Sequence, residues 1–196
     1  GGSEAGDAIC DVLFGDKVPT GKLVNSMPRT TGQEPLYYNH LNTGRPVKDG
    51  NKVFRKYQSN YTDVIQGPLY PFGYGLSYTT YEYSPVTLSE STMKKGGKIT
   101  ASATITNTGS RDGDEIVEFY IHDRYASIVR PVKELKGFQR IHLAKGESKT
   151  VSFDIDAATL SYYDADGNSV LEPGDFDIMI GPSSQTVNTA VLKVTE

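Results

Sequence analysis

The sequence of 196 residues is poor in cysteine and histidine and contains no tryptophan. A single cysteine, Cys10, excludes an internal disulfide framework and any zinc site built from several cysteines. Three histidines in the whole chain, none of them paired in sequence, provide little material for a metal cluster. Because Ile9 and Val12 lie beside Cys10, we expect this residue to be small, buried and unreactive. The sequence predicts no metal site and no cofactor.

Excess basic charge and long apolar runs are also absent. The net charge of -4 provides no positive field for phosphate groups, so nucleic acids and anionic membranes are poor candidates for partners. No apolar run approaches the roughly 20 residues that a membrane-spanning helix needs. The first residues, Gly-Gly-Ser-Glu, do not form a signal segment, so export cannot be judged from them.

The first part of the chain predicts one short helix followed by a long connector. Ser3 is a suitable N-cap and Gly15 a suitable stop for a helix over residues 3–15. Its apolar side chains fall on one face, namely Ala5, Ala8, Ile9, Val12 and Leu13. The following stretch is rich in turn residues, and a structureless run of that length is unusual inside a compact domain. We therefore interpret residues 1–75 as the tail of a larger domain and its connector.

The second part of the chain, residues 76–196, shows the alternation that is typical of strands. Ile99, Ala101, Ala103 and Ile105 share one face of a predicted strand, as do Val117, Phe119 and Ile121 of the next. Further strands are predicted over 135–143, 149–156, 175–181 and 189–196, with a hairpin through Tyr162 and Val170. Seven or eight short strands separated by turns predict an antiparallel β-sandwich of the immunoglobulin or fibronectin type III kind.

Carboxylates are the first residues to examine for catalysis, because glycoside cleavage uses two of them on either side of the scissile bond. The adjacent pairs Asp114 with Glu115 and Asp175 with Asp177 lie beside turns. We interpret them as solvated charges, so no catalytic pair is predicted. His122 and His142 fall in predicted strands, and we expect both to be structural histidines among apolar residues.

Residues 164–172 resemble a calcium-binding loop, with oxygen-bearing side chains at Asp164, Asp166, Asn168 and Glu172. The calcium pattern requires glycine at its sixth position, where this sequence has Ser169. A hairpin turn built on Asp-Gly-Asn explains the same residues without a metal, and we prefer it.

The loop NHLNTGRP, residues 39–46, is the strongest candidate for a binding site. Its polar side chains can donate hydrogen bonds to sugar hydroxyls or to a carboxylate, and they are Asn39, His40, Asn42 and Arg45. Tyr37 and Tyr38 just before it offer flat faces for stacking. The alternative is an ordered loop in which Arg45 pairs with a neighbouring acid, and the sequence leaves both readings open.

Several blocks of the sequence together resemble a known family. These blocks are GSEAGDAICDVLFGDKVPTGKL, MPR, YYNHLNTGRP, GPLYPFGYGLSYTTYEY, NTGSRDGDEIVEFYIHD, RPVKELKGFQRIHL and KGESKTVSFDI. In this order and spacing they resemble the C-terminal third of glycoside hydrolase family three enzymes, the beta-glucosidases and beta-xylosidases. The resemblance runs through almost the whole chain, and it is specific for the family but not for the substrate.

The resemblance implies a parent with a (β/α)8-type barrel, an α/β sandwich domain and a fibronectin type III-like domain. Residues 1–75 would be the end of the α/β sandwich domain with its connector, and residues 76–196 the fibronectin-like domain. The rings near the boundary would form the seam between them, and they are Tyr70, Phe72, Tyr74, Tyr78, Tyr81 and Tyr83. The family's aspartate nucleophile and glutamate acid/base match no position in this chain, so the resemblance implies a retaining parent and an inactive fragment.

The same resemblance implies that the partners are the upstream catalytic domains and, through them, beta-linked glucosides or oligosaccharides. It also implies a secreted or periplasmic location. The residues leave two other readings open. One is a non-catalytic carbohydrate-binding or adhesive β-sandwich module, and the other is a chain that self-associates through the apolar face of its first helix.

Overall fold

The computed structural model describes residues 2–48, 50–52 and 54–196. Its first part contains helix α1, Ala5–Phe14, and a single 3-10 turn, Thr31–Gln33. The rest of the first part is irregular and contains isolated β-bridges, such as the one between Met27 and Tyr70. None of the helices in the described residues is long and apolar enough to cross a membrane.

Helix α1 begins one residue later than its sequence suggests and is exposed. Its N-cap is Glu4, which makes no capping hydrogen bond through its side chain, so the prediction of a Ser3 cap is wrong. Gly15 ends the helix in the left-handed region with φ of 83°, as predicted. No residue of α1 is buried, and Cys10 is exposed. The expectation of a buried Cys10 fails because only Ala5 and Val12 of the apolar face are partly buried, while Ala8, Ile9 and Leu13 are exposed.

The second part of the chain is a β-sandwich. Its strands are β1 Tyr81–Tyr83, β2 Thr87–Leu88, β3 Thr92–Lys94, β4 Ile99–Asn107, β5 Gly113–Asp123, β6 Glu134–Leu143, β7 Ser148–Ile155, β8 Tyr162–Tyr163, β9 Ser169–Val170, β10 Gly174–Gly181 and β11 Asn188–Thr195. A one-turn helix, α2, Ala157–Leu160, follows β7.

Two sheets form the layers of the sandwich. In the first, β4 is paired with β1, β2 and β7, and all of these pairings are antiparallel. The second has the order β3-β11-β10-β5-β6, in which only β3 runs parallel to its neighbour β11. Strands β8 and β9 form a separate hairpin with Tyr162 opposite Val170. The predicted antiparallel sandwich after a short helix and a long connector is therefore confirmed.

The core lies between the two sheets and consists of the alternating side chains. Phe119 of β5 stacks on Phe153 of β7 with ring centroids 4.9 Å apart, which joins the sheets across the core. The inward residues of β4 and β5 are all buried, namely Ile99, Ala101, Ala103, Ile105, Val117, Phe119 and Ile121. Each large apolar side chain buried in this way contributes about 1.5 to 3 kcal/mol of transfer free energy.

The outward side of β5 is buried as well, which an ordinary two-layer sandwich does not require. Glu118 and Tyr120 point to this side, and both are at least 95% removed from solvent. Residues of the connector cover them: Gly73 lies over the Glu118 carboxylate, and the ring of Tyr38 meets Tyr120 edge to face. The connector is thus a partial third layer over the second sheet.

Candidate functional site

The backbone of the 39–46 loop is fixed to the rest of the chain at both ends. Leu41 forms a bridge with Pro131 of the β5–β6 connection, and the Val132 amide donates to the His40 carbonyl at 3.0 Å. At the other end the Ser59 amide donates to the Arg45 carbonyl at 2.9 Å. The loop is therefore an ordered platform laid against the sandwich.

The side chains of the loop are exposed, in contrast to its anchored backbone. Asn39, His40 and Arg45 all lie at the surface. His40 Nδ1 lies 3.1 Å from the Leu41 carbonyl, and no ion pair among the described residues involves Arg45. The chain thus presents an amide, an imidazole and a guanidinium to solvent from a rigid backbone.

The two tyrosines before the loop have different surroundings. Tyr37 is 62% exposed and can stack on a ligand. Tyr38 is half-buried: its ring stacks on Phe72 at 4.4 Å and meets the edge of Tyr120 at 5.8 Å. The prediction that Tyr38 offers a free stacking face is wrong, because that face is used to dock the connector.

The aromatic rings of the predicted seam are divided among four sets of contacts. Tyr70 and Tyr74 pack on each other at 4.7 Å within the connector. Phe72 joins Tyr38, as described above. Tyr78 Oη donates to the Val12 carbonyl of α1 at 2.6 Å. The last two rings, Tyr81 and Tyr83, belong to β1 and pack against the sandwich core.

A buried ion pair fastens the first part of the chain to the sandwich. Lys22 Nζ lies 2.7 Å from Glu115 Oε1 of β5, and both side chains are at least 90% buried. Lys22 also donates to the Pro182 carbonyl at 2.7 Å, and Tyr83 Oη donates to Glu115 at 2.6 Å. The interpretation of Glu115 as a solvated charge is wrong. Its alternation with Val117 points it inward, and Lys22 compensates its charge.

Glu118 is a second buried acid on β5, without a cation in direct contact among the described ion pairs. Its Oε2 accepts a hydrogen bond from Tyr120 Oη at 2.5 Å. Burial raises the pKa of Glu118, and the nearby charge of Glu115 adds to this, while Tyr120 and Lys22 oppose it. Gly73, with φ of 80°, lies over the carboxylate, and a Cβ at this position would be 2.3 Å from Oε2. Only glycine fits here.

These two buried acids do not form a glycoside-cleaving pair. Such a pair must face a common cleft, with room for a sugar between the carboxyl groups. Lys22 and Tyr83 both contact the Glu115 carboxylate. Gly73 lies so close to the Glu118 carboxylate that there is no room for a methyl group between them. A groove of about 420 Å³ opens beside them, lined by residues of the connector, β1 and β5. The arrangement stabilises the junction and offers no position for a substrate between the acids.

Asp114 and the two histidines of the sandwich form local polar contacts. Asp114 binds Arg140 and His142, with His142 Nδ1 at 2.7 Å, and the hydrogen bond from His142 is the main cause that lowers the pKa of Asp114. His142 is exposed, so its prediction as a histidine among apolar residues is wrong; it lies on the solvent side of β6. His122 is half-buried, with Nδ1 2.9 Å from the Pro131 carbonyl.

The segment that resembles a calcium loop is a hairpin turn between β8 and β9. Asp164 Oδ1 accepts hydrogen bonds from the amides of Asp166 at 2.9 Å and Asn168 at 2.8 Å. Gly167 takes the positive φ of 82° that the turn requires. Backbone amides therefore donate to Asp164 Oδ1, the oxygen that would have to bind a metal. Within the part of the chain that the structure describes, no group of three or more histidine, cysteine or acidic residues could hold a metal ion.

Comparison with known proteins identifies both parts of the chain. Residues 1–78 match the glycosyl hydrolase family 3 C-terminal domain, and residues 115–184 match the fibronectin type III-like domain. The chain belongs to glycosyl hydrolase family 3. It is 53% identical over 186 residues to a periplasmic beta-glucosidase of Salmonella typhimurium, and 43% identical over 195 residues to a beta-xylosidase of Formosa agariphila.

A solved structure of a beta-glucosidase shows the same fold. A beta-glucosidase from Listeria innocua, crystallised with gluconolactone, matches all of this chain with a TM-score of 0.92 and 42% identity. The chain covers only part of each relative. It spans 24% of the Salmonella protein and 26% of the Formosa protein, with 95% and 100% of this chain matched, and 27% of the Listeria chain. The family 3 match is therefore to the C-terminal part of longer proteins.

Reasoning from the family 3 sequence alone missed the buried residues that hold the junction together. Glu115 and Glu118 alternate along β5 with apolar residues, and acids in a strand that is otherwise buried on both sides are a signal for internal partners. Lys22 had no such signal, because it lies in a connector without periodicity and 93 residues from Glu115.

Proposed function

We propose that this chain is the C-terminal, non-catalytic part of a retaining beta-glucosidase. The whole protein would hydrolyse terminal non-reducing beta-D-glucosyl or related residues by double displacement, without a cofactor. The observation that carries this proposal is the 53% identity to a periplasmic beta-glucosidase over 95% of the chain. The nucleophile and the acid/base would lie in the domains that precede this part, because the buried acids of β5 are closed to a substrate.

The structural role of the chain would be to support those catalytic domains. We place the division at residues 1–75 for the tail of the α/β sandwich domain and 76–196 for the fibronectin-like domain. The Lys22–Glu115 pair, the Tyr38–Tyr120 edge contact and the approach of Gly73 to Glu118 support this role, because each joins the first part to the second. The exposed apolar face of α1 would pack on the upstream domain, and self-association is expected where that domain is missing.

The 39–46 loop would border the substrate on the leaving-group side of the cleft. Its exposed Asn39, His40 and Arg45 can hydrogen-bond to sugar hydroxyls, and its anchored backbone reduces the entropy cost of holding them in place. Arginine is suited to this task because its planar group donates several bonds in a fixed geometry. A secreted or periplasmic location is proposed from the name of the Salmonella relative.

The proposal is tested with the full-length protein that contains this chain. We expect hydrolysis of an aryl beta-glucoside with the beta-anomer of glucose as the first product, which proton NMR detects before mutarotation. Loss of one charged hydrogen bond in Arg45→Ala should raise KM for a beta-linked disaccharide by about tenfold. Arg55→Ala, at a second exposed arginine of the same connector, is the matched control and should leave KM unchanged.

Two outcomes would contradict this function. The first is a full-length protein that is folded and binds soluble beta-glucans with millimolar or tighter affinity but hydrolyses no beta-glycoside. That outcome would favour the alternative of a non-catalytic carbohydrate-binding or adhesive module. The second is hydrolysis that releases the alpha-anomer first, which would exclude a retaining mechanism.

A further inference from the structure

Tyr38 immediately precedes Asn39, so the position of its ring constrains the position of the first residues of the 39–46 loop. Its ring is stacked on Phe72 at 4.4 Å and meets the edge of Tyr120 at 5.8 Å. Its hydroxyl accepts a hydrogen bond from the Leu135 amide at 3.4 Å. Tyr38 is therefore held in place by Phe72 of the connector, by Tyr120 of β5 and by Leu135 of β6.

Tyr120 forms the buried side of this contact, and a hydrogen bond fixes its ring. It is fully buried, and its Oη donates to Glu118 Oε2 at 2.5 Å. Residues two apart in a strand project on the same side, so Glu118 and Tyr120 form one unit on the outer face of β5. Gly73 closes over the carboxylate, which prevents it from moving toward the connector. Lys133 Nζ lies 6.0 Å from the centre of the Tyr120 ring.

We infer that Glu118 and Tyr120 are positioning residues for the 39–46 loop. Glu118 orients Tyr120 through the hydrogen bond, Tyr120 supports Tyr38 edge to face, and Tyr38 sets the position of Asn39 and His40. The bond between the His40 carbonyl and the Val132 amide, at 3.0 Å, then reports whether the loop keeps its place. The relevance of this arrangement to hydrolysis rests on the proposed function; the positioning itself does not.

The test is Tyr120→Phe in the full-length protein, because this change removes only Oη. We expect the exchange of the Val132 amide with deuterium to become about two- to tenfold faster, as for the loss of one hydrogen bond. KM for an aryl beta-glucoside should rise by a similar factor, about two- to tenfold. The value of kcat should stay within about twofold, because the proposed role of the loop is to bind the leaving group and not to take part in bond cleavage.

Glu118→Gln and Glu118→Leu distinguish positioning from general loss of stability. Glutamine keeps an acceptor for Tyr120 Oη, so the Glu118→Gln protein should retain the wild-type Val132 exchange rate and KM. Leucine removes the acceptor, so the Glu118→Leu protein should behave like Tyr120→Phe. Equal effects of the two substitutions would overturn the inference, because then the hydrogen bond to Tyr120 is irrelevant to the loop.

Tyr83→Phe is the matched control. It removes a tyrosine hydroxyl that donates to another buried glutamate of β5, Glu115, at 2.6 Å, but has no contact with Tyr38. It should lower thermal stability and leave KM and the Val132 exchange rate unchanged. The inference is overturned if Tyr120→Phe changes neither KM nor the Val132 exchange rate. It is also overturned if Tyr83→Phe changes both of them as much as Tyr120→Phe does. If the full-length protein hydrolyses no beta-glucoside, the proposed function fails and the exchange rates alone decide the positioning.

Discussion

The two parts of this chain are stabilised in different ways. The sandwich closes around a continuous apolar core, in which Phe119 of one sheet stacks on Phe153 of the other. The first part has one exposed helix, and it is joined to the sandwich by a small number of specific contacts, above all Lys22 with Glu115. The core is stabilised by apolar contacts that large-to-small substitutions weaken in proportion to the volume removed. The polar contacts of the junction act differently, because the loss of one partner leaves the other buried and unpaired.

The largest effect is expected in the sandwich core. Phe119→Ala removes a fully buried ring from between the two sheets, and should lower the free energy of unfolding by about 4 kcal/mol. Urea denaturation followed by circular dichroism measures this change. Phe138→Ala is the control: this side chain lies on β6 but is 67% exposed, so its loss should change stability by less than about 0.5 kcal/mol.

A smaller but still large effect is expected at the junction. Lys22→Met leaves the Glu115 carboxylate buried without its cation, and should cost about 3 kcal/mol. Because both side chains are at least 90% buried, solvent screening removes little of this. Adding Glu115→Leu should recover most of the loss, because an apolar pair needs no compensation of charge. Equal destabilisation of the single and double variants would show that Lys22 acts through packing alone.

The buried Glu118 should make stability depend on pH in a defined direction. Burial raises its pKa in the folded chain above the unfolded value, so its protonated form favours folding. This contribution is fully present below the unfolded pKa and is lost as pH rises through the raised folded pKa. Lys22, Glu115 and Tyr120 are the titratable groups near it. Glu118→Gln should remove this part of the pH dependence, which the difference between the two denaturation profiles measures from pH 4 upward. The same dependence of unfolding free energy on pH in the wild-type and Glu118→Gln proteins would contradict this role of Glu118.

The smallest effect is expected at helix α1. Ile9→Ser replaces a side chain that is 58% exposed, and should change the stability of the isolated chain by less than about 0.5 kcal/mol. The same change should weaken any self-association of the isolated chain, which sedimentation velocity at several concentrations measures. A large loss of stability without a change in association would show that this face is covered within the chain itself.

The comparison also explains what the sequence could predict. Strand alternation predicts β4, β5 and β7 correctly, because burial on one side leaves a period of two in the residues. The end of α1 at Gly15 was predictable for a similar reason, since a left-handed C-cap favours glycine. These are local rules, and they apply wherever the chain supplies its own core.

The failures concern residues whose environment is set by distant parts of the chain. Cys10 was expected to be buried because its neighbours are apolar, but burial requires a cover that the sequence window does not show. Glu115 was expected to be solvated although its period-two spacing from Val117 places it on the core side of β5, because its partner Lys22 lies 93 positions away. His142 was expected among apolar residues, but its side chain lies on the solvent side of β6. Tyr38 was expected to be a free ring, and its stacking partner Phe72 is 34 positions away.

We propose that this chain supports catalysis in the longer protein without performing it. The most direct test of this proposal compares the isolated chain of 196 residues with the full-length protein on the same aryl beta-glucoside, after circular dichroism has shown that both are folded. We expect steady turnover by the full-length protein and none by the isolated chain. Turnover by the isolated chain at a rate comparable to the full-length protein would contradict the proposal.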